Sequence, residues 1–189
     1  MHAIFPHGGW IEAITGCMFS GKSEELIRRL RRAVIARQRV QIFKPRLDTR
    51  YGEDAIVSHS QQRLDSIAVA DVKELMASVK PGVDVIGIDE AQFFDDSLVA
   101  AVRDLAFDRK RVIVAGLDLD YRGEPFGPMP QILAQAEFVS KQLAICMICG
   151  APAKFTQRLT DSNQRIEIGA TGMYEARCRM HYEPPTDES

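Results

Sequence analysis

The sequence contains no window of about 18 consecutive apolar residues, so no part of it is expected to cross a membrane as a helix. The stretch MHAIFPHGGWIEAITG lacks the basic start and long apolar centre of a secretory signal, and a cytoplasmic location is the expectation. There is no internal repeat and no low-complexity segment. Nor is there an excess of positive charge: 24 Lys and Arg stand against 26 Asp and Glu, a net charge of -2. No global basic field argues for nucleic acid as a partner. The one local exception, RRLRRAVIARQR from Arg28 to Arg39, carries Leu26, Leu30, Ala33, Val34 and Arg37 at helical spacing. It is expected to form a solvated or subunit-facing helix rather than a nucleic-acid patch. Cysteine is scarce. Four residues in a reducing compartment suggest a metal or free thiols before disulfides.

What is present suffices for one ordinary domain with a small appendage: 189 residues, 46% of them hydrophobic. WIEAIT, VDVIGID and RVIVAGLD read as strands of a buried parallel sheet, with RVQIFKP as a fourth. Helical patterns lie between them, at Glu24 to Arg37, Val72 to Val79 and Ser97 to Phe107. Alternating strands and helices predict a three-layer α/β domain with right-handed crossovers. Pro45 to Ser66 is polar and reads as a long loop with room for short strands. From about Cys146 the helical rhythm fades and cysteines come in pairs. IEIGATGMYEARCRMHY reads as a flexible loop between the two halves of a metal site, and the boundary is placed near Leu143.

Gly16-Cys17-Met18-Phe19-Ser20-Gly21-Lys22-Ser23 fits G-x-x-x-x-G-K-[ST] between a predicted strand and a predicted helix, the context the motif requires. Gly16 and Gly21 let successive backbone N–H groups turn toward phosphate oxygens. The helix N-terminus adds partial positive charge. Lys22 reaches the β- and γ-phosphates, and the Ser23 hydroxyl is a Mg²⁺ ligand. At the end of VDVIGID, Asp89 suits the metal's water shell, and Glu90 suits proton transfer at the carboxyl edge of the sheet. If Glu90 activates water the protein is an ATPase; if it deprotonates a bound hydroxyl it is a kinase. Position along the strand does not separate the two.

Cys146-Met-Ile-Cys149 and Cys178-Arg-Met-His181 supply three thiolates and an imidazole for one tetrahedral Zn²⁺. The segment carrying them has few large apolar side chains and is too small to hold itself by burial. All four positions are filled by side chains, so the zinc is read as structural. A redox C-x-x-C with an incidental His181 is the plain alternative. FTQRLTDSNQRIEIGATGMY has few basic residues and one central aromatic pair, Phe155 and Tyr174, which argues against a single-strand binder.

Four segments occur in this order: TGCMFSGKSEEL, IDEAQFF, VAGLDLDYRGEPFG, and CMIC followed by YEARCRMHY. Together they resemble the type II thymidine kinases, the cytosolic family with a zinc-bound lasso loop, from about Trp10 to Tyr182. The first segment is shared with many families; the other three are far more specific. The resemblance implies a P-loop, RecA-like parallel-sheet domain over 1–143 and a small zinc-binding lasso domain over 144–189. It implies transfer of the γ-phosphoryl of ATP to the 5′-hydroxyl of thymidine, or deoxyuridine, in nucleotide salvage for DNA synthesis. By position, Gly16 to Ser23 bind ATP with Mg²⁺, Asp89 holds the metal's water shell, and Glu90 is the general base. Met18, Phe93, Leu117, Tyr121 and Phe126 surround the nucleoside, and Gln92 helps hold the segment that places Glu90.

The resemblance further implies that Glu167, Ile168 and Gly169 read the base edge through their backbones, with Thr156 and Tyr174 as further lasso contacts. Asp48 and Arg50 match a segment near the phosphates. Without the resemblance Phe93, Phe94 and Phe126 read as core; with it, Phe93 and Phe126 belong to the pocket and Phe94 to the core. A homotetramer and restraint by dTTP are also implied, with no nucleic-acid or membrane partner. His181 departs from the family's frequent fourth cysteine, Tyr121 from phenylalanine, and Ala170 and Gly172 from other lasso residues. The readings set against this one are a P-loop ATPase motor, or a nucleotide switch, whose zinc knuckle binds a partner.

Overall fold

The computed structural model describes residues 8–46, 55–57, 63–160 and 172–185. In chain order the elements are β1 (Trp10–Thr15), α1 (Lys22–Ile35), β2 (Val40–Pro45), β3 (Ala55–Val57), β4 (Arg63–Asp65) and β5 (Ile67–Val69). They continue with α2 (Val72–Ser78), β6 (Val85–Ile88), α3 (Ser97–Phe107), β7 (Arg111–Gly116), α4 (Met129–Gln135) and β8 (Phe138–Lys141). The last are β9 (Ala144–Ile145), β10 (Pro152–Ala153), β11 (Phe155–Arg158) and β12 (Tyr174–Arg177).

Six strands form one sheet in the order β5-β2-β6-β7-β1-β8, and each neighbouring pair runs parallel. The strands alternate as buried strands must. On β7, Val112 and Val114 face α2, α3 and α4, packing with Leu75, Leu98, Val102, Leu105 and Met129. Ile113 and Ala115 face the other way, onto Leu26, Ile27 and Leu30 of α1. Each such side chain contributes about 1.5–3 kcal/mol by leaving water. Helix α1 lies close to the sheet because β6 carries Gly87. A Cβ there would stand 2.8 Å from a methyl of Leu30.

The arginine-rich run departs from its expected solvated face. Arg29 is buried, donating to Glu12 at 2.7 Å, to Glu25 at 2.8 Å and to Ser140 at 2.7 Å. Glu12 needs that company, since it is a carboxylate inside the sheet. It also accepts from Trp10 at 2.9 Å and Arg111 at 2.6 Å. Conversely Val34, counted with the apolar face by spacing, is exposed, because the inward stripe is Leu26, Ile27, Arg29, Leu30 and Ala33.

The short edge strands β5 and β8 and helix α4 were not expected. The stretch read as a long loop contains the antiparallel pair β3–β4. Past β8 the sheet gives way to two small antiparallel pairs, β9–β10 and β11–β12. Part of the segment expected as a flexible loop is therefore strand: Tyr174–Arg177 pairs with Phe155–Arg158.

Candidate active site

Strands β1 and β6 both pair with β7, so their carboxyl ends open on one edge of the sheet. The phosphate-loop motif leaves β1 there. Gly16 has φ 144, and a Cβ would stand 2.2 Å from the Gln142 carbonyl oxygen, so glycine is required. Gly21 has φ 83 and leads into α1. The loop closes on the Cys17 carbonyl, which accepts from Ser20 Oγ at 2.8 Å and from Lys22 Nζ at 2.7 Å. Burial lowers the Lys22 ammonium from its ordinary range, while negative charge on Glu90 and Asp89 acts in the opposite direction.

At the end of β6, Asp89 Oδ1 accepts from Ser23 Oγ at 3.4 Å and from the Glu90 backbone N–H at 3.0 Å. Desolvation, then the neighbouring Glu90 charge, pushes the Asp89 carboxyl up to about 7. Hydroxyl and carboxylate oxygens so arranged are the hard donors that suit magnesium. Glu90 has left-handed backbone, φ 51. Its Oε2 accepts from Gln92 Nε2 at 2.5 Å, and Gln92 Oε1 in turn accepts from Leu117 N–H at 3.0 Å. Gln92 thus ties the end of β6 to the end of β7. It is walled in: a Cβ on Gly116 would lie 2.9 Å from its Oε1, and one on Gly127 2.4 Å from its carbonyl oxygen.

The aromatic residues expected at the nucleoside pocket form two groups. Phe93 and Phe126 meet edge to face with ring centroids 5.8 Å apart, while Phe94 is buried in the core. Tyr121 sits on a turn organised by the buried Asp120, whose Oδ1 accepts from the N–H groups of Arg122 at 2.9 Å and Glu124 at 3.1 Å. Arg158 lies over the Tyr121 ring at 3.6 Å and donates to Tyr174 Oη at 2.8 Å. Thr156 Oγ1 accepts from the Met18 N–H at 3.0 Å. Phe155 and Tyr174 do not pair in space: Phe155 stacks on Tyr182, centroids 4.3 Å apart, and Tyr182 donates to the Tyr121 carbonyl at 2.7 Å.

Sequence reasoning passed over three residues here. Arg158 and Asp120 are buried charges in otherwise polar segments. The third, Asp118, is also buried and pairs with Lys141 at 2.5 Å. No signal in FTQR turns Arg158 inward, since alternation sets it on the face opposite Phe155; both faces of β11 are covered. Glu167, Ile168, Gly169 and Ala170, and Asp48 and Arg50, lie outside the described residues.

In the β9–β12 region the ligating atoms of Cys146, Cys149, Cys178 and His181 lie within 4.8 Å of one another. Thiolates about 2.3 Å from a tetrahedral zinc stand about 3.8 Å apart. Cys149 Sγ and Cys178 Sγ are 3.8 Å apart, and His181 Nδ1 is 3.8 Å from Cys146 Sγ and 3.2 Å from Cys178 Sγ. A disulfide, at about 2.05 Å, does not fit the 3.8 Å sulfur separation, whereas zinc does. Desolvation would raise the Cys146 thiol, but backbone N–H groups of Cys178, Cys149 and Ile148 favour the thiolate and bring it to about 6.

A thymidine kinase family profile matches residues 9–182. A curated thymidine kinase of Rhodothermus sp. is 56% identical over 189 residues, covering 98% of this chain and 88% of that one. Another, from Bdellovibrio bacteriovorus, is 51% identical over 179 residues, covering 95% of this chain and 88% of its own length.

Proposed function

The chain belongs to the thymidine kinase family, and from that premise we propose how its residues move the γ-phosphoryl group of ATP to the 5′-hydroxyl of thymidine. It is an ATP-dependent nucleoside kinase. The readings as an ATPase motor or a nucleotide switch are not favoured beside relatives at 51% and 56% identity that span nearly the whole chain.

Gly16 to Ser23 cradle the triphosphate. Lys22 exchanges the Cys17 carbonyl for phosphate oxygens, a stronger acceptor for an ammonium. Ser23 and, through water, Asp89 hold the magnesium of Mg·ATP, which when bound neutralises charge on the phosphates. Glu90 accepts the proton of the thymidine 5′-hydroxyl as that oxygen attacks the γ-phosphorus. The new P–O bond forms as the bond to the β–γ bridging oxygen breaks, leaving ADP and dTMP. A positioned base contributes about 10²–10⁴-fold, and in-line alignment much of the rest. Phe93, Leu117, Tyr121, Phe126 and the Met18 side chain line the nucleoside, with Thr156 and Tyr174 behind it. Glu167, Ile168 and Gly169, which lie outside the described residues, read the base edge, and deoxyuridine is a second substrate. Cys146, Cys149, Cys178 and His181 hold a structural zinc. A homotetramer and inhibition by dTTP rest on the family resemblance alone, and a cytoplasmic location on the resemblance and the sequence reading.

The observation that carries this mechanism is the bridge Glu90–Gln92–Leu117. It holds the carboxylate of Glu90, a residue with left-handed backbone at the end of β6, close in sequence to the Phe93 ring that meets Phe126. ATP consumption should appear with thymidine and deoxyuridine and not with deoxycytidine, deoxyguanosine or no nucleoside. Glu90→Gln should lower kcat by about 10²–10⁴-fold while ATP still binds. Equal ATP consumption without nucleoside would overturn the kinase assignment.

A further inference from the structure

The zinc-binding lobe touches the phosphate loop as well as the nucleoside side of the cleft. Thr156 on β11 accepts the Met18 N–H at 3.0 Å, and Cys17 Sγ donates to the Ala153 carbonyl of β10 at 3.4 Å. Cys17 is buried in one apolar cluster with Ala144, Ala153, Ala176 and two metal-site cysteines, Cys146 and Cys178. From the metal-site side the contacts are contiguous. The Met147 N–H donates to the Ala176 carbonyl at 3.0 Å, and Ala176 is the register partner of Thr156. Two consecutive residues of the loop thus take their positions from the lobe. Those positions fall between Gly16, pressed on the Gln142 carbonyl, and the Lys22 that must meet phosphate.

Accepting the ATP and zinc sites proposed above, we propose that Thr156 is a positioning residue for the phosphate loop, and that through it metal occupancy and ATP binding are positively coupled. The bistable element is the lobe itself. With its ligands held it presents Thr156 and the Ala153 carbonyl to the loop; without them it has too little apolar burial to keep β10 and β11 in place. Coupling of this kind is reciprocal: whatever zinc does for ATP affinity, ATP does for zinc retention.

The test follows zinc release from the full-length protein to a chromogenic chelator, with and without ATP in excess Mg²⁺, and with no nucleoside. ATP should slow release by about three- to tenfold, the range expected for one net hydrogen bond. Thr156→Val should abolish that protection and raise KM for ATP by a similar factor, with kcat changed less. Thr156→Ser, which keeps the acceptor, should retain both. Wild-type release that ignores ATP would overturn the coupling, as would Thr156→Val behaving like wild type. If the valine variant does not fold, the wild-type release rates still decide. Absence of zinc or of ATP binding in the wild type would overturn the proposed sites as well. Both ligands binding normally with no mutual effect would sink the coupling alone.

Discussion

Glu90 holds a backbone conformation that a long side chain rarely adopts, φ 51, at a cost of about 1–3 kcal/mol. Such strain persists where neighbours over-determine it: the Glu90 N–H donates to Asp89 Oδ1, the Glu90 carbonyl accepts from the Phe93 N–H, and the side chain is held by Gln92. Its amide donates to the Glu90 carboxylate with one end and accepts the Leu117 N–H with the other. Gln92→Ala would free the Glu90 side chain to change rotamer and leave a partly buried Leu117 N–H unsatisfied. The expected result is a destabilisation of about 1–3 kcal/mol with kcat falling by at least tenfold and KM for ATP nearly unchanged. Denaturant midpoints and steady-state kinetics measure the two. A variant that loses stability but keeps kcat would reduce Gln92 to a packing residue.

Helix α1 owes its seat to charge as well as to leucines. Glu25 is brought down to about 2 by its hydrogen bond to Arg28, against the opposing effect of burial, and further by Arg29. Glu12 is also lowered: burial alone would raise it, but Arg111, Trp10 and Arg29 outweigh that. A carboxyl whose folded pKa lies below its unfolded value contributes stability above the unfolded value, and that contribution disappears as pH falls through the folded one. For Glu25 the window runs from about 4.5 down to about 2. Arg28 is more than half exposed, so solvent screening reduces the Glu25 contribution to about 1 kcal/mol. Denaturant midpoints should therefore fall between pH 4.5 and pH 3 in the wild type, and less steeply in Glu25→Gln. Parallel curves would remove this pair from the acid response.

The same helix marks where sequence pattern stops being informative. Period-2 and period-3.6 apolar runs placed four strands and three helices, because long buried elements must repeat. They could not place Arg29, whose partners Glu12 and Ser140 lie on strands β1 and β8. Nor did they reveal β5, only three residues long, or β8, whose FVSK pattern is half buried. Helix α4 is a seven-residue helix with Pro130 in its first turn, too short for periodicity to register. At the candidate site, Gly16 to Ser23, Asp89 and Glu90 could be singled out because the proposed chemistry demands those types at those spacings, and the fold brings Ser23 to Asp89. Arg158 could not be: it is held by Tyr121 and Tyr174, 37 and 16 positions away, which only the fold brings together.

The molecule as a whole stands on two unequal foundations. The six-stranded sheet buries large side chains on both faces, including Phe43, Leu75, Leu98 and Met129 on one and Leu26, Ile27 and Leu30 on the other. The metal-site cluster has alanines and cysteines, with Phe19 of the phosphate loop packed against it. Apolar burial of that size cannot offset the chain entropy of ordering the surrounding strands, about 1–2 kcal/mol per residue for the backbone alone. A structural zinc contributes about 10–16 kcal/mol, enough to make the difference. Cys149 is the exposed ligand of the four, so Cys149→Ala leaves little cavity and tests the metal more than the packing. Metal analysis should find about one zinc per wild-type chain and a marked loss in the variant. Hydrogen exchange should then rise through β9–β12 while β1, β6 and β7 keep their protection. Unfolding of the whole chain as one unit would instead mean that the lobe's contacts with Cys17 and Met18 make the sheet depend on the metal too. Protection unchanged everywhere would show that the lobe holds itself without zinc.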